Sequence, residues 1–525
     1  MQRAARDPIL IGGGEIGRCL TRIHHDRFTP AERVPDPVVA DRIDRGVRWE
    51  EVVIADLLEG TAATTVRSPG SVVDGSRPVV IPPGVRAPDR EEITARALTA
   101  GVPLVVGGRL ASPSRHSVGA PDLLVRLDQG YAPVDVKHHL VVRDEGIPAH
   151  VTPTRAITNV AGAEAFFKPD RSQDLLQVAH YWRLLDEGGH ADPRRFAGII
   201  GSEPGPLCIW VDLGAADPTL LDVAAAELDE AVEAIAAGRE HPETPLVPAV
   251  WRGICRSCPW HDFCRAALET VDHVSLLPTV RPADTERLTA AGISTTRQLA
   301  AVAPGTMLDD YEIDPESILE ARARSRGALL RRDGVDLDLP SADVAVDFDI
   351  ETYQGIIYLA GLLITEAGKS TYRPIADWTA TDSGEREVIT DLFAFFDRLA
   401  DRGNAVVYHW TGYERTMLQA ASDRHGVRLR TAPDVDAWFD RYGCDLWAWT
   451  KARFVSPDGY SLKVVAPLCG FAWRDDDPGG AQSELWYADA VAGDTAQRRR
   501  LLDYNEDDVA AQLAIRRWVR DHADR

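Results

Sequence analysis

Lysine is nearly missing from this chain: of 58 basic residues only five are lysine, the rest arginine. A lysine standing at a motif position therefore carries more information than usual, while the arginine bias itself is expected to reflect a GC-rich genome. Cysteine is sparse as well. Seven in 525 residues exclude a disulfide framework. There is no run of eighteen apolar residues, so no membrane span is expected. The opening MQRAARDPILIGGGEIGRCL lacks the layout of a secretory signal, which points to the cytoplasm. No GxxxxGK[ST] phosphate loop occurs, so the chain is not itself an ATP-driven helicase. Positive charge is in deficit: 58 basic residues against 81 acidic give −23. That excludes a generally basic nucleic-acid coat. It leaves room for a local basic groove, because fields are screened beyond roughly 8–10 Å. No internal repeat and no long low-complexity tract is present.

What is present fits a globular protein of several domains. The length suggests two to four, and 45% apolar with 26% charged residues is ordinary. Residues 1–270 alternate helical and strand-like patterns and are expected to form one α/β unit. Within it, residues 37–60 read as a helix stopped by Gly60, residues 90–100 as a helix closed by Gly101, and SQDLLQVAHYWRLLDEGG as an amphipathic helix with Ser172 as N-cap. Residues 271–335 read as short helices around a Gly292-Ile293 turn, a helical-hairpin-like linker module. Residues 336–525 open on the β-rich DVAVDFDIETYQGIIYLAGLLIT and close on a helix, forming a further α/β domain.

The densest chemistry lies in PDLLVRLDQGYAPVDVK. Two short apolar segments flank the turn residues Asp128, Gln129 and Gly130, the pattern of a β-hairpin. Side chains alternate along a strand, so Asp135 and Lys137 share a face, and Asp122 opens the preceding strand within reach of it. Two carboxylates and a lysine at one point suit metal-dependent phosphodiester cleavage. The acids hold a hard divalent cation, and the ammonium activates water or offsets charge at phosphorus. Gln177 and Tyr181, spaced i, i+4, project from one helix face beside it. Glu50 is a candidate third acid, whereas Glu51 lies about 100° away around the helix.

Three cysteines cluster as Cys255-x2-Cys258-x5-Cys264, and a closed tetrahedral site needs a fourth ligand, for which the distant Cys19 is a candidate. Zinc is the alternative metal, with His261 or His24 contributing. Cys208, Cys444 and Cys469 sit in apolar settings and are expected in cores. A second acidic constellation begins at Asp349-Ile350-Glu351 in a strand, with Asp347 on the same face. It continues with Glu414 after a strand and ends with Tyr504 and Asp508, spaced i, i+4 on a helix. Asp349, Glu351, Glu414 and Asp508, with Tyr504, are four acids and a tyrosine in an order that fits two-metal phosphodiester hydrolysis. Lys463, in the strand-like SLKVV, is a further possible substrate contact.

The order Cys19, Glu50, Asp122, Asp135-Val-Lys137, Gln177-x3-Tyr181, Cys255-x2-Cys258-x5-Cys264 resembles the RecB-like branch of the PD-(D/E)XK nucleases. The closer likeness is to the iron–sulfur members, such as the AddB nuclease domain and CRISPR-associated exonucleases, and it covers roughly residues 10–270. It implies a restriction-endonuclease-like mixed-sheet core and a structural 4Fe–4S cluster on Cys19, Cys255, Cys258 and Cys264. It also implies Mg²⁺ or Mn²⁺ at Glu50, Asp122 and Asp135, with Lys137 catalytic. Many relatives carry histidine where Glu50 stands. Residues from about 340 onward resemble the DEDD exonuclease group of the RNase H-like fold, in the variant with a tyrosine in its last motif. That likeness implies Asp349, Glu351, Glu414 and Asp508 as metal ligands and Tyr504 as the residue orienting water. Glu414 departs from the aspartate usual at its step. The combined expectation is a metal-dependent DNA nuclease, acting on single-stranded ends or flaps in repair or recombination beside a helicase partner. Two rivals stand against it: a nucleic-acid-binding scaffold with inactive acidic sites, and a zinc-stabilised nuclease without iron.

Overall fold

In a computed structural model of the protein, residues 8–30, 37–475 and 480–523 are described. The chain divides into two compact units, Met1–Ala249 and Val250–Arg525.

The first unit contains helices α1 (Leu20–Phe28), α2 (Pro37–Leu58), α3 (Ala87–Ala100), α4 (Ser172–Glu187) and α5 (Leu220–Glu240). Among the described residues its main sheet has ten strands. Five consecutive members carry the site: β1 (Leu104–Val106), β2 (Leu123–Arg126), β3 (Tyr131–Val136), β4 (Phe196–Ile200) and β5 (Leu207–Asp212). β2 and β3 form the expected hairpin, in register Leu123↔Val134 to Arg126↔Tyr131. The chain then crosses over through α4 and returns as β4, parallel to β3 with Ile199 beside Asp135. Alternation sorts the side chains into two layers. Ala132 and Val134 of β3 join Ile200, Trp210 and Val53 of α2 on one face. Ile199 and Ala197 join Leu175, Val178 and Ala179 of α4 on the other, with Leu228, Ala231 and Ile235 of α5. Each fully buried Leu, Ile or Val among them contributes roughly 1.5–3 kcal/mol. Helix boundaries follow the turn chemistry: α3 closes on Gly101 at φ 71°, and Gly60 at φ 71° follows α2. α4 starts at Ser172 itself, with Arg171 in the cap position, one residue from expectation.

The second unit opens with α6 (His261–Thr270), α7 (Pro282–Ala290), α8 (Thr296–Ala300) and α9 (Pro315–Arg326). Gly292 turns between α7 and α8 at φ 82°. A five-stranded sheet follows, built of β6 (Val344–Tyr353), β7 (Ile356–Glu366), β8 (Lys369–Ala376), β9 (Ala405–His409) and β10 (Gly443–Asp445), in the order β8-β7-β6-β9-β10. β6, β7 and β8 form an antiparallel meander, while β9 and β10 continue in parallel beside β6. The helices of this region are α10 (Asp382–Arg402), α11 (Tyr413–His425), α12 (Val435–Tyr442), α13 (Leu446–Arg453), α14 (Leu462–Leu468), α15 (Gly480–Val491) and α16 (Thr495–Ala523).

The period of β6 decides the domain's layout. Val346, Phe348 and Ile350 face one way, into a core with Val388, Ile389 and Phe396 of α10 and Trp438 of α12. Asp347, Asp349 and Glu351 face the other way, toward α16. Opposite Asp349 in the register stands Gly361 of β7. A Cβ there would overlap the Asn505 amide of α16, so the missing side chain is what lets the helix lie on the acidic face.

The architecture is thus a mixed α/β, multidomain one. Among the described residues no helix is long and apolar enough to cross a membrane.

Candidate active sites on the two sheets

In the second unit, Asp349 and Glu351 project from β6 and Asp508 from α16. Their ligand oxygens all lie within 4.8 Å of one another, and among the described residues they form the only such trio of histidine, cysteine or acidic side chains. Each acid is also held by a neighbour. Asn505 Nδ2 donates to Asp349 Oδ2 at 2.9 Å, and Ser483 Oγ to Glu351 Oε2 at 3.2 Å. Asp508 Oδ1 accepts from Trp473 Nε1 at 2.7 Å and from the Lys463 ammonium. The Tyr504 hydroxyl bonds the same carboxylate.

The electrostatics are those of crowded anions. Burial, and then Glu351, Asp508 and Glu414, hold Asp349 well above the usual carboxylate range. Burial and Asp508 push Glu351 up to about 8. Asp508 is raised by burial, against the lowering effect of Lys463. Burial beside the acids also raises Tyr504, which stays a protonated donor.

One sequence expectation is extended here and one changes. Asp347 does share the face of Asp349, but it is fully buried in a two-pronged ion pair with Arg516 (2.7 and 2.5 Å). It is a structural anchor for α16 rather than part of the trio. Lys463 sits on helix α14, not on a strand. Leu462, Val465 and Ala466 are the buried stripe of that helix, a helical spacing that overrides the β-prone local sequence. Glu414, near the start of α11, stands outside the trio. It is buried, pushed up to about 8 by burial and then by Asp445, and among the described residues its Oε2 has no hydrogen-bond partner. It still faces the site closely enough to raise Asp349.

Residues 346–520 match the family model described as the RNase_H superfamily. The C-terminal part of this chain is an RNase H-like domain. The match spans the trio, Glu414, Lys463 and Tyr504. No curated protein matches the chain. The RNase H-like domain implies a nucleic-acid substrate and divalent metal, and its three clustered carboxylates, Glu351 and Asp508 buried and Asp349 half-buried, suit a hard cation.

The first unit gathers the residues singled out around the hairpin. Asp122 precedes β2 and accepts from the Val136 amide at 2.7 Å. Asp135 is the penultimate residue of β3, with its Oδ2 2.6 Å from Lys137 Nζ. Lys137 in turn donates to Gln177 Oε1 at 3.0 Å, and Gln177 Nε2 reaches Tyr181 Oη at 2.8 Å, so the i, i+4 face of α4 points at the lysine. Burial, then Asp135, then Glu50 raise Asp122 well above the normal range. Burial, then Asp135, raise Glu50 on α2. Burial pulls Lys137 down, but Asp135 and Asp174 outweigh it and leave the ammonium favoured.

Asp174 was not anticipated. It bonds His139 Nε2 at 2.9 Å and stands 3.8 Å from Lys137. Its position three residues before Gln177 on the same helix was the available signal. In the other domain Asn505, three residues before Asp508, carried the same signal. Ser483 and Trp473 carried none, since no local periodicity ties them to an acid.

Cys19 occupies the N-cap position of α1 in the first unit. Cys255 lies in the short 3₁₀ turn Gly253–Ser257, Cys258 follows it, and Cys264 is on α6, all in the second unit. The two histidines weighed for zinc have other partners: His24 Nε2 lies 3.0 Å from the Pro242 carbonyl, and His261 Nδ1 2.8 Å from Asp262. Cys208 and Cys444 are core residues, as expected, and Cys469 packs at the edge of a core.

Proposed function

We propose that the protein is a metal-dependent nuclease that hydrolyses phosphodiester bonds in DNA, with the RNase H-like domain as one of two hydrolytic sites. The observation that carries this reading is the convergence of Asp349, Glu351 and Asp508 within 4.8 Å in a buried setting, on the domain that matches the RNase_H superfamily. These three carboxylates are the residues that would hold Mg²⁺ or Mn²⁺, with Glu414 a further acid beside them. A bound divalent cation would supply Lewis-acid activation of water and charge neutralisation at the phosphoryl oxygens. The chain's own groups do the rest. Asn505, Ser483 and Trp473 fix the carboxylate orientations. The Tyr504 hydroxyl donates its proton to Asp508, so it orients a water through its oxygen, as a hydrogen-bond acceptor.

A second specific observation supports the first unit as the other site: the chain Asp135–Lys137–Gln177–Tyr181 of contacts between 2.6 and 3.0 Å, with Asp122 and Glu50 raised beside it. In this reading Glu50, Asp122 and Asp135 bind metal and the Lys137 ammonium steadies the attacking water. The resemblance to RecB-like nucleases alone carries the finer parts: single-stranded ends or flaps as substrate, a role in repair, a helicase partner, a cytoplasmic setting, and an iron–sulfur cluster. The cluster's thiolates would be Cys255, Cys258 and Cys264, with Cys19 as the fourth in the sequence pattern. Iron and acid-labile sulfide in anaerobically purified protein would support that cluster; stoichiometric zinc would replace it.

The deciding experiment uses end-labelled single- and double-stranded DNA and RNA, with Mg²⁺, Mn²⁺ or EDTA. It compares the wild type with Asp135→Ala, Asp349→Ala and the double variant. Cation-dependent cleavage lost fully only in the double variant supports two active sites. Undiminished cleavage by the double variant would refute the assignment, and binding without cleavage in the wild type would favour a scaffold.

A further inference from the structure

Lys463 is the feature that a plain two-metal reading of the RNase H-like site does not absorb. It is one of the five lysines in the chain. Its ammonium sits on Asp508 Oδ1, an oxygen of the trio itself. Two aromatic faces hold it there, the Trp473 ring at 4.2 Å and the Tyr504 ring at 4.5 Å from Nζ, contacts that favour a cation at that point. The same Asp508 oxygen also accepts the Trp473 indole N–H at 2.7 Å. One oxygen of Asp508 is thus committed to two donors. The lysine stem is fixed by helix α14, whose Leu462, Val465 and Ala466 are buried. This is a built cation seat, made of one anion, two rings and a positioned helix, and it is filled by the protein's own ammonium.

We propose that Lys463 replaces the second divalent cation of this site, so that the RNase H-like domain works with one bound ion and a fixed ammonium. The proposal rests on the trio being a cation site and goes further by setting its stoichiometry. The chemistry is consistent. An ammonium at Asp508 supplies positive charge where a phosphate oxygen would develop negative charge, which is what a second ion contributes electrostatically. Unlike a metal ion it cannot lower the pKa of a bound water by coordination, so the remaining ion among the three carboxylates would hold the attacking water. Lys463 is accordingly a charge-supplying residue in contact with a ligand of the reacting centre. The departure at Glu414 fits the same picture: that carboxylate lies outside the trio, with His409 Nδ1 3.8 Å from its Oε2.

The test counts Mn²⁺ ions by titration calorimetry and by the electron paramagnetic resonance of free Mn²⁺. It uses the full chain carrying Asp135→Ala, so that the first unit contributes as little as possible. Ions belonging to the second site are those lost on adding Asp349→Asn. The expected count is one in this background, two after Lys463→Met, and one after Lys463→Arg, which keeps the charge. A count of two with Lys463 intact overturns the proposal while leaving the metal site standing, and it does so whether or not the Met variant folds. A count of one after Lys463→Met in a protein with unchanged circular dichroism overturns it as well. No difference on adding Asp349→Asn would instead remove the cation site, and with it both readings.

Discussion

Cation binding at the RNase H-like site should be steeply dependent on pH, and the structure sets the slope. Glu351 is pushed up to about 8 by burial and by Asp508. Below that pH it carries a proton that a divalent cation must displace. Each pH unit below about 8 therefore costs roughly a factor of ten in apparent affinity, about 1.4 kcal/mol. Between pH 6 and pH 8 the dissociation constant for Mn²⁺ should fall by about fiftyfold for one displaced proton. Asp349, also raised, makes that a lower bound. The stability of the cation-free protein should move the opposite way. The folded pKa of Glu351 lies above its reference value of 4.5, so the folded state binds the extra proton. Stability from this group is full at low pH and is lost as pH rises through about 8. Stabilisation by added Mn²⁺ should grow over the same range. The assay is titration calorimetry on the Asp135→Ala protein at pH 6, 7 and 8, in buffers of different ionisation enthalpy, so that proton release is read directly. An affinity that changes less than about threefold across that range, with no protons released, would refute the electrostatic reasoning.

Two further outcomes test the framework that builds the site. Arg516→Met strands the fully buried Asp347 without its partner and should cost about 3–5 kcal/mol in urea unfolding, much of it recovered by adding Asp347→Leu; no loss in the single variant would contradict the anchoring role. Gly361→Ala drives a methyl into the Asn505 amide and should cost about 1–3 kcal/mol while weakening Mn²⁺ binding, because Asn505 must leave Asp349; an unchanged melting temperature and affinity would count against the close approach of α16.

Much of this layout was legible from local pattern alone. Alternation put Asp135 beside Lys137 and Asp349 beside Glu351, and helical spacing put Gln177 with Tyr181 and Tyr504 with Asp508; all four pairings appear in the structure. A period is a local property, so it says which side chains share a face but not what covers that face. Asp347 illustrates the limit. Its face was readable, but its partner Arg516 lies 169 residues away, and that partner ties the acid into a buried ion pair. The β-branched run around Lys463 read as a strand, because the packing of Leu462, Val465 and Ala466 that selects a helix is tertiary. Trp473 reaches Asp508 from an irregular segment and Ser483 reaches Glu351 from a separate helix, α15, so no local spacing ties either to its acid.

The central claim is that Asp349, Glu351 and Asp508 form a divalent-cation site. Anomalous diffraction from crystals grown with Mn²⁺ tests it most directly. The account predicts a manganese peak bounded by oxygens of all three carboxylates, with Lys463 Nζ still on Asp508, and loss of that peak in Asp349→Asn. Well-ordered carboxylates at saturating Mn²⁺ with no peak among them would contradict it.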